Sequence, residues 1–305
     1  MTGSVSGRIA SAAGLLLMCA GAIVYARRVP ATIPASAPQT TFSADAAMRH
    51  VSALSRAPRP LGSPDNAIAR QYILDELTFL GLHPQVQTTI GIGTRYAEAG
   101  LVNNVVARLP GTRPGGKAVL LMAHYDGVPA GPAAADDASG CAVLLETLRA
   151  LRAGPPLVHD VIVLFTDGEE AALLGAAAFA RDHPWRADVA VVLNFEARGT
   201  HGPSLMFETG PGNLDVVRHL RRVRGVRATS LSVVVYRTLP NDTDLSELAV
   251  LGQPAMNFAF IGGVNRYHTT QDDYAHLDPR TVQHHGNQAL ALTHAFGNGE
   301  LPQPR

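Results

Sequence analysis

The segment from residue 119 to residue 140, VLLMAHYDGVPAGPAAADDASG, gathers side chains of the kind that bind metal ions. Its apolar start, Val119 to Ala123, reads as a buried strand that stops abruptly at His124, Tyr125 and Asp126. In extended backbone, residues two apart share a face, so His124 and Asp126 point the same way. A histidine beside a carboxylate is a common pairing of a metal ligand with the group that orients its ring. After a Gly/Pro/Ala loop come Asp136 and Asp137, at the mouth of a helix opening near Ser139 and Gly140. Alone, these acids suit helix capping equally well.

Three further apolar runs end in similar residues. Val161 to Phe165 leads into Thr166, Asp167, Gly168, Glu169 and Glu170; Val189 to Phe195 ends in Glu196; Ala255 to Ile261 leads through Gly262 and Gly263 to Tyr267 and His268. Sites in open α/β sheets gather beyond the carboxyl ends of strands, so this shared address argues for one centre. Two imidazoles with carboxylates and no thiolate suit zinc. A single catalytic zinc takes about three protein ligands. His124, Asp136, Glu196, His268 and a glutamate of the 169–170 pair exceed that and suit two ions roughly 3.5–4 Å apart, sharing a carboxylate and clamping an attacking water. The adjacent side chains of Glu169 and Glu170 diverge, so one can ligate while the other takes a proton from the water as general base.

The elements that must position these residues follow from periodicity and punctuation. Helices are expected over 43–53, with Ser43 as N-cap, over 65–80, ended by Gly81, and over 142–151, 171–181, 214–223 and 281–296. Strands are expected at 86–90, 102–109, 119–123, 160–166, 189–195, 204–207, 231–236 and 255–261. Continuous apolar strands alternating with helices define an α/β three-layer sandwich: a central mixed, mostly parallel sheet with helices on both faces. The basic run Arg218, Arg221, Arg222, Arg224 and Arg227 reads as a solvated face, and His183, His201 and His276 as surface residues.

Balanced formal charge and a charged content of 16% leave no nucleic-acid footprint. The two cysteines exclude a disulfide framework in the body of the chain, and Cys141 reads as a small core residue. Arg8, the uncharged apolar run Ile9 to Ala26, and Arg27-Arg28 make residues 1–28 a signal peptide or a signal anchor. A Pro/Ala/Thr-rich linker, 29–42, precedes a single domain over 43–300. The body is therefore expected outside the cytoplasm, periplasmic or extracellular, either free or held at the membrane by residues 9–26.

The blocks AHYDGVPAGPAAADDASG, FTDGEEAALLGAAAF, NFEARG and YHTTQDD, with RPLGSPDNAIARQYILDELTFLGL upstream, resemble the metal-site blocks and entry helix of the secreted di-zinc aminopeptidase family. That family includes bacterial leucyl aminopeptidases and is similar, more distantly, to glutamate carboxypeptidases and glutaminyl cyclases. The resemblance implies His124, Asp136 and Glu196 on one zinc, and Asp136, Glu170 and His268 on the other, with Asp136 bridging. It implies Glu169 as general base, Asp126 orienting His124, Tyr267 hydrogen-bonding the oxyanion, and a cis peptide between Asp136 and a supporting Asp137. Asp244 either supports the site or only begins a helix. Glu196 departs from the aspartate that the family often carries. The implied activity is that of a zinc-dependent aminopeptidase, with two zinc ions per chain, acting on peptides with a free N-terminus. A single-zinc glutaminyl cyclase-like acyltransferase and a non-catalytic receptor-like relative are the alternatives.

Overall fold

The computed structural model describes residues 5–302 except positions 95, 114, 211 and 240. Its centre is a seven-stranded sheet of β1 (Gln85–Ile92), β2 (Ala99–Leu109), β3 (Ala118–His124), β4 (Asp160–Thr166), β5 (Val189–Ala197), β6 (Leu205–Thr209) and β7 (Ala255–Phe260), in the order β1-β2-β4-β3-β5-β7-β6. The four strands β4, β3, β5 and β7 run parallel. Strands β1 and β2 extend one edge and β6 the other, all by antiparallel pairing.

Every residue of β3, β4 and β5 is buried, as strands covered on both faces require. Alternate residues divide between two cores. Val119, Leu121, Val163, Phe165 and Leu193 pack into the larger core, under α2 (Ala44–Leu54), α4 (Gly140–Arg152) and α9 (Pro279–Asn298). Leu120, Met122, Ile162, Leu164 and Val192 pack into the other, under α5 (Leu174–Asp182) and α8 (Asp244–Leu248). The result is the three-layer sandwich that the sequence indicates. Helix α3 (Pro64–Phe79) carries proline at its start, where no intrahelical N–H is needed. The Ser43 and Ser63 hydroxyls cap α2 and α3 by accepting from Ala46 N and Asn66 N at 3.2 and 3.1 Å.

Residues 231–236, expected as a strand, form helix α7 (Ser230–Tyr236). The outer edge of β6 is engaged just before it, where Met206 N–H donates to Arg227 O at 2.7 Å, and the Thr229 hydroxyl then accepts from Leu231 N and turns the chain into a helix. A six-residue apolar run carries no period that separates the two outcomes. Helix α5 starts at Leu174 rather than Ala171, because Ala172 and Leu173 take positive φ. His183 is buried rather than superficial: it stacks on Phe179 at 4.9 Å, and its ring nitrogen accepts from Trp185 N. Its burial lowers the imidazole pKa.

Helix α6 (Asn213–Leu220) and the turn after it expose Arg218, Arg221, Arg222 and Arg224. The N-terminal segment forms helix α1 (Val5–Arg27), with Leu15, Leu16, Leu17 and Met18 exposed. Its end meets the body at Arg227, which donates to Ala26 O and lies 5.6 Å from the centre of the Tyr25 ring. Among the described residues, no helix is long and apolar enough to cross a membrane.

Candidate metal centre

The carboxyl ends of β3, β4 and β5 and the loop after β7 converge on one point. His124 ends β3, and its Nε2 stands 3.2 Å from Asp136 Oδ1 and 3.5 Å from Glu196 Oε2. His268 Nε2 stands 3.1 Å from Asp136 Oδ2 and 3.0 Å from Glu170 Oε1. Asp136 thus turns one oxygen to each histidine. Donor atoms of His124, Asp136 and Glu196 lie within 4.8 Å of one another, as do those of Asp136, Glu170 and His268. A third set, His124, Glu169 and Glu170, meets the same limit, so Glu169 faces the cluster as well.

The donor set fits zinc. It offers imidazole nitrogens and carboxylate oxygens without sulfur, and Glu170 Oε1 is buried with no donor aligned on it despite its closeness to His268. Electrostatics points the same way. Burial would lower the imidazole of His124, but the facing carboxylates of Glu169 and Glu196 outweigh it and raise the pKa well above its ordinary value. Burial opposes His268 likewise, and the hydrogen bond to Asp136 with the adjacent carboxylate of Glu170 carries it up to about 9. Asp136 is pulled down against its own burial by the two histidines. Four nearby acids go up: burial, with the charge of Asp136, takes Glu170 to about 7, burial takes Asp244 to about 8, and burial raises Glu169 and Asp137 well above their ordinary values. A bound cation would reverse this pattern and let the acids ionise together.

Supporting groups hold the ligands. Asp126 is fully buried; its oxygens accept from Glu169 N at 3.1 Å and Glu170 N at 3.2 Å, and Oδ1 lies 3.4 Å from His124 Nδ1, off the line of a good hydrogen bond. The Asp136–Asp137 peptide is cis. Asp137 accepts from Gly140 N at 2.9 Å and His124 N at 3.3 Å. Position 140 must be glycine, since a Cβ there would stand 2.3 Å from Asp137 Oδ2. Asp244 begins α8, is buried, and accepts from the Thr166 hydroxyl at the end of β4.

Two further residues act here without a clear sequence signal. The buried guanidinium of Arg59 donates to the carbonyls of Tyr125, Pro132 and Ala133 at 2.6, 2.5 and 2.9 Å, tying both ends of the loop between His124 and Asp136. In the sequence it is one arginine in a turn-rich stretch. Asp272 accepts from Ala135 N at 2.7 Å and Asp136 N at 3.1 Å, and so fixes the backbone that presents Asp136. It lies inside YHTTQDD, where nothing marks which acid has this task.

A cavity of about 410 Å³ opens beside the cluster. Asp136, Glu169 and Glu196 stand in its wall, with apolar side chains from β6, α7 and the loop after β7, among them Phe207, Leu231 and Val264. Tyr267 also lines it, its ring stacked on His268 at 3.7 Å.

The fold is that of zinc exopeptidases and glutaminyl cyclases. The aminopeptidase from Aneurinibacillus sp. strain AM-1 superposes with a TM-score of 0.68 at 15% identity, over 88% of this chain and 97% of that one. Porphyromonas gingivalis glutaminyl cyclase does so at 0.66 and 21%, over 83% and 98%. At these identities the likeness is one of fold alone. In sequence, the chain is 31% identical over 274 residues to endoplasmic reticulum metallopeptidase 1 of Rattus norvegicus, covering 83% of this chain and 30% of the relative. It is 31% identical to a vacuolar membrane protease of Candida tropicalis, over 64% and 22%. The chain thus spans less than a third of the length of either relative. The model of peptidase family M28 matches residues 104–293, more than half of the chain, and the protein belongs to that family of hydrolases.

Proposed function

We propose that the protein is a zinc aminopeptidase working with two ions per chain. The observation that carries this reading is the division of Asp136 between His124 and His268, one oxygen to each. His124 and Glu196 would hold one zinc with Asp136, and Glu170 and His268 the other. When bound, zinc polarises the scissile carbonyl and acidifies the attacking water. Glu169 takes the proton of that water and returns it to the leaving amine, a role for which it needs only hydrogen-bond reach. The hydroxyl of Tyr267, kept protonated by burial and by the nearby carboxylates of Asp136 and Glu170, donates to the oxygen that gains charge. Asp126 holds the His124 ring and the amides of Glu169 and Glu170 in one frame. The acid-rich wall offers acceptors to a free α-amino group, and the apolar remainder of the cavity takes the first side chain. The body works outside the cytoplasm, with residues 1–28 as its export signal; the names of the endoplasmic reticulum and vacuolar membrane relatives support a membrane-bounded setting.

The test is release of free amino acids by the zinc-loaded chain from unblocked and N-acetylated peptides. Cleavage of the unblocked peptides alone is expected. Equal cleavage of the acetylated ones would overturn the aminopeptidase assignment, and cyclisation of N-terminal glutamine without hydrolysis would assign a cyclase instead.

A further inference from the structure

Arg198 is the one cationic side chain among the described residues that line the cavity beside the metal cluster, whose other lining residues are acidic, apolar or neutral and polar. Arg198 follows β5 directly, and its N–H donates to Phe260 O at 3.0 Å, so ladder pairing continues one residue past the strand. Arg198 therefore falls on the face that carries Glu196, with two residues of extended chain, about 7 Å, between their Cα atoms. Its guanidinium lies 4.8 Å from the centre of the Tyr267 ring, and Tyr267 stacks on His268. The cation is thus fixed on a ring that itself belongs to the site. Among the described residues its side chain has no hydrogen bond and no ion pair, whereas Arg59 and Arg149 direct theirs to carbonyls and a carboxylate. A guanidinium with free donors in a cavity wall matches a carboxylate, which it grips through two parallel hydrogen bonds.

The span between Glu196 and Arg198 limits where that carboxylate sits on a substrate. One residue of extended chain covers roughly 3.5 Å and a charge-assisted hydrogen bond about 2.8 Å more, together close to that span, so a substrate with its scissile carbonyl at the acid cluster reaches Arg198 with the single residue on the leaving side. We infer that Arg198 is the receptor for the terminal carboxylate of that residue, and that the preferred substrates are dipeptides with an apolar first residue. The free amine would meet the acidic wall, the first side chain the apolar cavity, and the carboxylate the guanidinium. This assignment rests on the exopeptidase reading and adds the substrate class to it.

The experiment compares Leu-Ala with Leu-Ala amide as substrates of the zinc-loaded full chain and its Arg198→Ala and Arg198→Lys variants. It also measures by calorimetry the binding of both compounds to the Glu169→Gln chain, with and without Arg198→Ala. The wild type should favour the free acid by about 10- to 100-fold in kcat/KM, the range of a charged hydrogen-bonded pair, mostly through KM. Arg198→Ala should abolish that preference, bringing kcat/KM for the free acid down to that for the amide, and Arg198→Lys should restore part of it. The same discrimination should appear in binding and vanish with Arg198→Ala. Equal kcat/KM for acid and amide in the wild type, an equal loss for both in Arg198→Ala, or equal affinities in calorimetry would overturn the carboxylate receptor. Failure of the wild type to hydrolyse either compound would count against the exopeptidase reading instead, and calorimetry would still decide the role of Arg198.

Discussion

Asp126 Oδ1 accepts the backbone N–H of Glu169 at 3.1 Å, and the same oxygen lies 3.4 Å from Nδ1 of His124. One buried carboxylate therefore stands beside the His124 ring at the end of β3 and fixes the backbone of the glutamate pair after β4. Replacing Asp126 with Ala releases the ring and leaves the Glu169 and Glu170 amides without their acceptor. Loss of such a partner lowers metal affinity by about 10- to 100-fold. Competition with a calibrated chelator would measure it; an unchanged zinc affinity would remove Asp126 from the frame.

Asp272 fixes Asp136 through the backbone rather than the side chain. Because Asp136 faces both histidines, Asp272→Ala should weaken both ions together, whereas Glu196→Ala should weaken one. Stepwise zinc titration of the two variants separates these outcomes. A selective loss in Asp272→Ala would show that Asp136 is not shared.

Arg59→Met should destabilise the protein by about 2 kcal/mol, since it leaves the carbonyls of Tyr125 and Pro132 without donors, at roughly 1 kcal/mol or more each, while Ala133 O keeps the N–H of Ala138. Urea unfolding reads the change. The loop that Arg59 ties also approaches Thr269 so closely that a Cβ at Gly131 would stand 2.1 Å from Thr269 O, so the variant should lose zinc affinity as well as stability.

His285 gives the fold a dependence on acid. It is fully buried on α9, next to His284 in sequence, with Nδ1 2.7 Å from the Ser204 hydroxyl and the rings of Phe195 and Phe260 presenting edges at 5.1 and 5.5 Å. Burial, with the nearby His284, lowers its pKa to about 3. Unfolded, the same group titrates near 6.5, so between these values the unfolded chain binds more protons. This contribution to stability is complete above pH 6.5 and is lost as pH falls toward 3. His285→Gln should flatten the fall in melting temperature across that window; an unchanged slope would contradict it.

Much of the sandwich was legible because β3, β4 and β5 are apolar along most of their length and end in polar residues at the same end of the parallel strands. The chain brings His124, Asp136, Glu170, Glu196 and His268 together because each follows such a strand or the loop after it. What stayed hidden had no periodic or spacing signal. The run from Leu231 to Tyr236 is too short to declare its period, and a threonine cap decided it. Burial of His183 depends on Phe179 one helical turn earlier and Trp185 just beyond, a packing relation that composition does not display. Arg59 and Asp272 bond to backbone atoms of residues 66 to 137 positions away in sequence, and such partners leave no mark on the sequence around either residue.

The central claim is that Asp136 is shared between two zinc positions. The direct measurement is zinc per chain, by mass spectrometry of the metal, after equilibration with excess zinc and removal of unbound ion, for the wild type and for Asp136→Ala. The account predicts two ions per wild-type chain and loss of both in the variant. A wild type that retains one ion, or a variant that still holds one with undiminished affinity, would contradict it.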